Sequence, residues 1–289
     1  MSVDIKNFLK KYNFRPNDLL GQNFLIDEIA LQDIVDQAEL SKDDQVLEIG
    51  SGIGNLTKLL TEQAGFVLAV EKDQRYLPIL RDLLGKDAFA NQADKETRKQ
   101  PTNVQVVFAD ITQFNFQELL KPGYVVVANI PYYITGKIVE MLVTAKVKPR
   151  RIVLLMQKEV AQRICAKPGN LSILAISVQL FGTPRMGQII PRDSFYPAPD
   201  VDSAVLVIDL FEKLPFAPDQ KKFFKMIKAA FAGKRKQIHN TLETNLQLPK
   251  EAVESALQAA EVPPTERPQD LTLAQWQALY TYFVDSDLI

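Results

Sequence analysis

Five short apolar runs dominate the first half of this chain: QVLEIG (45–50), FVLAVE (66–71), VQVVF (104–108), YVVVAN (124–129) and RIVLLMQ (151–157). Each is the length of a strand, and none shows the alternation of a sheet with one wet face. Helical patterns separate them, near 27–40, 55–64, 73–85, 135–145 and 158–165. Near-continuous Val/Ile/Leu strands joined by helices imply a parallel sheet covered on both faces, an α/β architecture. LSILAISVQLF (171–181) reads as a further covering helix and AVLVIDLF (204–211) as a late strand, with an antiparallel placement open. The polar stretch 85–103 reads as a surface insertion.

After EKLPFAPDQ (212–220) the strand signals stop and helical patterns follow near 218–232, 234–245, 250–260 and 272–284. In the first, Phe224, Ile227 and Phe231 fall at i, i+3 and i+7, and Gly233 is placed to end it. A boundary is therefore expected near 212, dividing a domain of residues 1–211, with an N-terminal arm over 1–26, from a helical domain of 212–289.

Composition narrows the function classes. No stretch approaches the roughly 20 apolar residues of a membrane span. MSVDIKNFLKKYNF at the N-terminus contains no signal-peptide core, so a cytoplasmic protein is expected. One cysteine, Cys165, and one histidine, His239, provide neither a disulfide nor a zinc site, and no protein-bound metal is expected. The formal net charge of −1 conceals segregation: residues 221–240 hold seven Lys or Arg and no acid, whereas 27–49 hold eight acids and only Lys42. Charge sorted in this way can present a basic face to a polyanion.

VLEIGSGIGNLT (46–57) is a strand, a glycine-rich turn and a helix start. Gly50, Gly52 and Gly54 allow a sharp turn and close backbone approach to a ligand. The dinucleotide fingerprint fails, because its third glycine would fall at Asn55, and no Walker motif is present. The pattern, with Glu48 in front, suits a nucleoside bearing an amino-acid tail better than a pyrophosphate. Glu71 ends the second strand, where a carboxylate can take ribose hydroxyls. Asp110 follows the third, where it can accept from an adenine amino group.

The fourth strand ends in Asn129-Ile130-Pro131-Tyr132. An aromatic exocyclic amine is a poor nucleophile until its nitrogen pyramidalises, and acceptors aimed at its N–H bonds favour that geometry and the developing positive charge. The Asn129 side chain offers one such oxygen and the backbone near Ile130 another. Pro131 holds the preceding residue extended, and Tyr132 supplies a face for a stacked purine. Such a seat suits direct attack of the amine on an electrophilic methyl group, with no covalent enzyme intermediate.

Seven segments in order resemble the S-adenosylmethionine-dependent ribosomal RNA adenine dimethyltransferases, and within them the bacterial small-subunit branch. They are GQNFLID (21–27), LEIGSGIGNLT (47–57), NIPYYIT (129–135), MQKEVAQRI (156–164), FYPAPDVDSAV (195–205), AFAGKRKQIHNTL (230–242) and RPQDLT (267–272). The resemblance implies a Rossmann-like, seven-stranded class I methyltransferase sheet with a small C-terminal all-α domain that binds RNA. It implies S-adenosylmethionine as cofactor and, as substrate, N6 of two adjacent adenines in the 3′-terminal hairpin of small-subunit rRNA, modified by a monomer during ribosome assembly. By position, Asn23 and Leu25 would touch the methionine end of the cofactor, Gly50 and Gly52 its loop, Glu71 its ribose and Asp110 its adenine. Asn129, Ile130, Pro131 and Tyr132 would orient the target base, Phe195 would form a second aromatic wall, and Lys234, Arg235 and Lys236 would meet phosphates. Two departures are visible: a longer stretch between Glu71 and Asp110, and a shortened loop at 166–173. The alternatives are a large-subunit rRNA adenine methyltransferase of the antibiotic-resistance type and a non-catalytic assembly or transcription factor on the same fold.

Overall fold

All five apolar runs form strands in the computed structural model, which describes residues 5–17, 21–89, 103–233 and 235–289. The chain opens with α1 (Ile5–Lys11), β1 (Phe24–Leu25) and α2 (Glu28–Gln37). It continues through β2 (Gln45–Ile49), α3 (Asn55–Gln63), β3 (Phe66–Glu71), α4 (Leu77–Leu84), β4 (Val104–Phe108), β5 (Val125–Asn129), α5 (Thr135–Val143), β6 (Arg151–Gln157) and α6 (Lys158–Ile164). After α7 (Ile173–Gln179) come β7 (Gly182–Ile190), β8 (Phe195–Tyr196) and β9 (Ser203–Leu210), then α8 (Gln220–Ala230), α9 (Ile238–Leu246), α10 (Lys250–Ala259) and α11 (Leu273–Asp285).

Seven strands make one sheet in the order β4-β3-β2-β5-β6-β9-β7. β2 pairs in parallel with both β3 and β5, β5 in parallel with β6, and β6 antiparallel with β9. Val125–Ala128 and Ile152–Met156 are wholly buried, which is why these strands read as unbroken apolar runs; each such Val or Leu contributes about 1.5–3 kcal/mol. Since β3 and β4 lie on one side of β2 and β5 and β6 on the other, the connections leaving β2 and β5 diverge. An α/β sheet opens a ligand crevice at the carboxyl ends of its strands where the order reverses in this way.

Some elements were not legible in advance. β7, GTPRMGQII, occupies the sheet edge and exposes much of its length, so it lacks an apolar run. Pro184 is tolerated there because an edge strand has spare ladder positions. β1 and β8 are two residues each and pair antiparallel, Leu25 opposite Phe195. Part of the stretch expected as a surface insertion packs instead: Ala88 is buried and the Phe89 ring stacks on Phe108 at 6.2 Å. Residues 90–102 of that stretch lie outside the described residues. The arm is anchored by aromatic contacts, with Phe14 stacked on Tyr76 at 4.6 Å and the Arg75 guanidinium over Phe14.

The chain divides into two units, residues 1–161 with 183–210 and residues 162–182 with 211–289. The second division lies at residues 210/211, and segment 162–182, which contains the 171–181 helix, groups with the helical unit. Hydrogen bonds account for this. The Gly169 and Leu171 N–H groups both donate to the Gln269 carbonyl, the Gln269 amide donates to the Gly169 carbonyl, and Phe211 N–H donates to the Phe181 carbonyl. The buried face of α8 is also rotated from the expected one, using Phe223, Met226, Ile227 and Ala230. Phe223 is drawn inward by the rings of Phe216 and Tyr280 at 5.8 and 5.6 Å. α8 ends at Ala230 with Phe231 as its cap, ahead of Gly233.

Candidate active site

The tips of β2, β3, β4 and β5 border a single cleft of about 240 Å³. Gly50, Gly52, Glu71, Asp110, Asn129, Ile130, Pro131 and Tyr132 all line it, together with Asn23 from the arm. The loop after β2 is shaped by its glycines. Gly52 has φ +52° and donates its N–H to Glu71 Oε2 at 2.8 Å. Gly54, at φ +87°, begins α3, and a Cβ there would fall 2.5 Å from Leu83 Cδ2. A side chain at that position would be both strained and crowded.

Glu71 is bound by its own surroundings. Oε1 accepts from the N–H groups of Lys72 and Asp73, each at 2.8 Å, and Oε2 from Gly52. Burial pushes its pKa up, and these three N–H groups oppose the shift. Three of about four acceptor positions are used by these donors, which leaves one on Oε2. Asp110 is held differently. Its carboxyl is brought down to about 2, first by Lys72 Nζ at 3.0 Å and then by the N–H and hydroxyl of Thr112 at 2.9 and 2.8 Å. It is an anionic acceptor at any working pH.

Asn129 donates from Nδ2 to the backbone carbonyl of Asn23 at 3.2 Å. A carbonyl can only accept, so this contact orients the amide and leaves Oδ1 as an acceptor. Pro131 sits at φ −59°, ψ 134°, and among the described residues no hydrogen bond reaches the Ile130 carbonyl. The second acceptor inferred from the sequence is thus unspent. The half-buried Tyr132 is fixed by its hydroxyl, 2.8 Å from Ser203 Oγ at the start of β9, and burial raises its pKa. Two acceptors and a fixed aromatic face thus stand together at one strand tip.

The remaining sequence-derived residues are placed less simply. Leu25 is buried and borders a smaller cavity of about 50 Å³ that also reaches Gly50, Gly52 and Asn129. Phe195 does not line the cleft: it is 4% exposed, paired with Leu25 and packed in the main apolar core. The β1–β8 pairing turns the ring inward. Lys234 lies outside the described residues; Arg235 and Lys236 are exposed in the helical unit, around a concavity that includes Asn240 and Arg267. No local signal marks Ser203 or the orienting Asn23 carbonyl, although both lie inside segments that resemble the family.

Glu48, in β2 directly below the glycine loop, is wholly buried; among the described residues no hydrogen bond of good geometry reaches its oxygens or Thr57 Oγ1, although the Thr57 hydroxyl lies close to the carboxyl. Burial pushes this carboxyl up to about 8, with the Thr57 hydroxyl opposing and Glu71 reinforcing the shift. A carboxyl with a folded-state pKa near 8 and an unfolded one near 4.5 is protonated on folding. Its favourable contribution is complete below pH 4.5 and is lost as pH rises toward 8, by up to about 1.4 kcal/mol per pH unit. Glu48→Gln is therefore expected to flatten the decline in thermal stability between pH 5 and 8 and to melt higher than wild type at pH 8. Parallel melting curves across that range would exclude a neutral Glu48.

Comparison with known proteins gives concordant results. The family model described as "Ribosomal RNA adenine dimethylase" matches residues 13–285. The "Ribosomal RNA small subunit methyltransferase A" of Streptococcus mutans is 38% identical over 292 residues, covering 97% of this chain and 96% of its own. The protein of the same name from Clostridium botulinum is 36% identical over 285 residues, 96% and 97% of the two chains. Among solved structures, the 23S rRNA methyltransferase ErmE superposes with a TM-score of 0.68 at 26% identity, covering 90% of this chain and 98% of its own. A dimethyladenosine transferase from Plasmodium falciparum superposes with a TM-score of 0.75 at 24% identity, covering 90% and 97%, a likeness of fold.

Proposed function

Because the chain belongs to the ribosomal RNA adenine dimethylase family, we propose that it transfers methyl groups from S-adenosylmethionine to N6 of two adjacent adenines in the 3′-terminal hairpin of small-subunit rRNA. The observation that carries this reading is the spare Asn129 Oδ1 and Ile130 carbonyl beside the Tyr132 ring, in the cleft that also contains Glu71 and Asp110.

The cleft suits the cofactor. Gly50 and Gly52 leave room for an amino-acid tail against the loop, Glu71 retains one acceptor for the ribose, and Asp110 is a fixed anion for an adenine amine. Bound there, the cofactor supplies an electrophilic methyl group on a sulfonium. Asn129 Oδ1 and the Ile130 carbonyl accept from the two N–H bonds of the target amine, so that its lone pair leaves conjugation and points along the line of attack. Tyr132 replaces the stacking an extruded base has lost, worth roughly 1–3 kcal/mol. Asn129 is neutral and the Tyr132 phenol is pushed to a higher pKa, so neither takes the proton in the bond-making step. The methylated nitrogen sheds it afterwards to solvent, with no dedicated base.

Residues 1–211 would perform this chemistry and 212–289 would engage RNA, in a monomer acting in the cytoplasm on an assembling small subunit. Arg235 and Lys236 face solvent in the helical unit, as phosphate contacts must. Changing both to Gln is expected to weaken RNA binding and to reduce the slope of log affinity against log salt by about one per residue, sparing cofactor affinity. Equal slopes would remove these residues from the interface. The reading itself is tested by incubating the protein with labelled cofactor and unmethylated ribosomal subunits, then mapping modified nucleotides by primer extension. Label in the large subunit would favour the antibiotic-resistance type of activity, and no label at all a non-catalytic factor.

A further inference from the structure

Charge around the cleft is sorted by side. Three carboxylates, Glu71, Asp73 and Asp110, stand with Lys72 at the ends of β3 and β4, and Arg75 pairs with Asp73, so this side keeps one net negative charge. On the β5 side the lining residues from Ile130 to Lys137 include a single charged group, the ammonium of Lys137. Lys72 is committed to Asp110 at 3.0 Å. Lys137 is exposed and, among the described residues, has no hydrogen-bond or ion-pair partner.

An acidic side suits a cationic donor, yet it repels the phosphates of an incoming nucleic acid. An extruded nucleotide nevertheless brings its flanking phosphodiesters to the mouth of the cleft. An unpaired exposed lysine is ordinarily just a solvated side chain. Three features set this one apart: it borders the cleft, it does so on the side where the base must enter, and it opposes the net acidity of the other side. Local shape agrees. The first turn of α5 contains no acid, and a Cβ built on Gly136 meets nothing within 4 Å, which leaves approach to that turn open.

We propose that Lys137 is a positioning residue whose ammonium holds a phosphodiester flanking the target adenine, so that the base enters the Asn129–Tyr132 seat in register. The assignment rests on the methyl-transfer reading and deepens it. A lysine is a point charge on a flexible stem, so the contact positions the strand without reading its sequence.

The test compares wild type with Lys137→Gln, Lys137→Glu and Lys137→Arg on a synthetic RNA hairpin bearing two adjacent adenines and on unmethylated small subunits. Binding is followed by fluorescence anisotropy across a salt series, and methylation by labelled cofactor. Lys137→Gln should weaken RNA binding about five-fold and lower the salt slope by about one. Lys137→Glu should weaken binding further, and Lys137→Arg should restore both, with cofactor affinity unchanged throughout. A Lys137→Glu protein with wild-type RNA affinity and salt slope, in a series whose wild type methylates, overturns this assignment alone. A wild type that methylates neither RNA overturns the parent reading as well.

Discussion

Asn129→Ala is expected to slow methyl transfer by roughly 10²–10³-fold, the range seen when one preorganised polar group aimed at developing charge is removed. The expectation follows from the geometry. Asn129 Nδ2 is used by the Asn23 carbonyl at 3.2 Å, so Oδ1 is committed to the cleft before any substrate arrives and needs no reorganisation. Alanine removes that acceptor and leaves one, the Ile130 carbonyl, to pyramidalise the amine. Asn129→Asp keeps oxygen acceptors but sets a carboxylate against the Asn23 carbonyl, so its orientation is lost and an intermediate rate is expected. Single-turnover rates at saturating cofactor separate the step from binding. A wild-type rate in the alanine variant would remove Asn129 from the chemistry.

Glu71→Ala should act on the other substrate, raising the dissociation constant of S-adenosylmethionine by about 10²-fold, since hydrogen bonds to charged groups contribute about 1.5–3 kcal/mol each. Stability should fall as well, by roughly 1–3 kcal/mol, because the N–H groups of Gly52, Lys72 and Asp73 lose their acceptor in a site where Glu71 is only 7% exposed. Glutamine is not a conservative replacement here. With N–H donors on both oxygens, a Gln amide must turn its own NH₂ toward at least one of them, donor against donor. Glu71→Gln is therefore expected to resemble alanine in cofactor affinity. Titration calorimetry with thermal melting reads both effects, and an alanine variant that binds cofactor like wild type would exclude Glu71 as the ribose acceptor.

The legible parts of the fold share one property: their signal is local. A strand buried on both faces is apolar at most residues, with Glu48, Glu71 and Gln105 as buried exceptions, so β2 to β6 read as runs. A carboxylate or an Asn-Pro-Tyr sequence at the end of such a run is then placed at a strand tip by chain connectivity alone. β7 carried no such signal because an edge strand may be polar, and α7 read as a sheet cover because an apolar helix face does not state its partner. The segment around Phe195 is legible, but the direction its ring takes is not, since strand pairing decides it.

By itself, then, the amino-acid order determined an α/β sheet, a helical C-terminal part, the four strand ends that converge on one cleft, and the type of chemistry their side chains can perform. Only the tertiary structure decided how those groups are held and which of their atoms stay free. Asn129 is oriented by a carbonyl 106 residues away, Tyr132 by a hydroxyl 71 residues away, and Asp110 is held ionised by Lys72 at a separation of 38. Strand identity is encoded in the free energy of burying consecutive side chains, which neighbours in sequence share. Hydrogen-bond direction depends on which distant segments the completed sheet brings within hydrogen-bonding distance, and no local pattern records it.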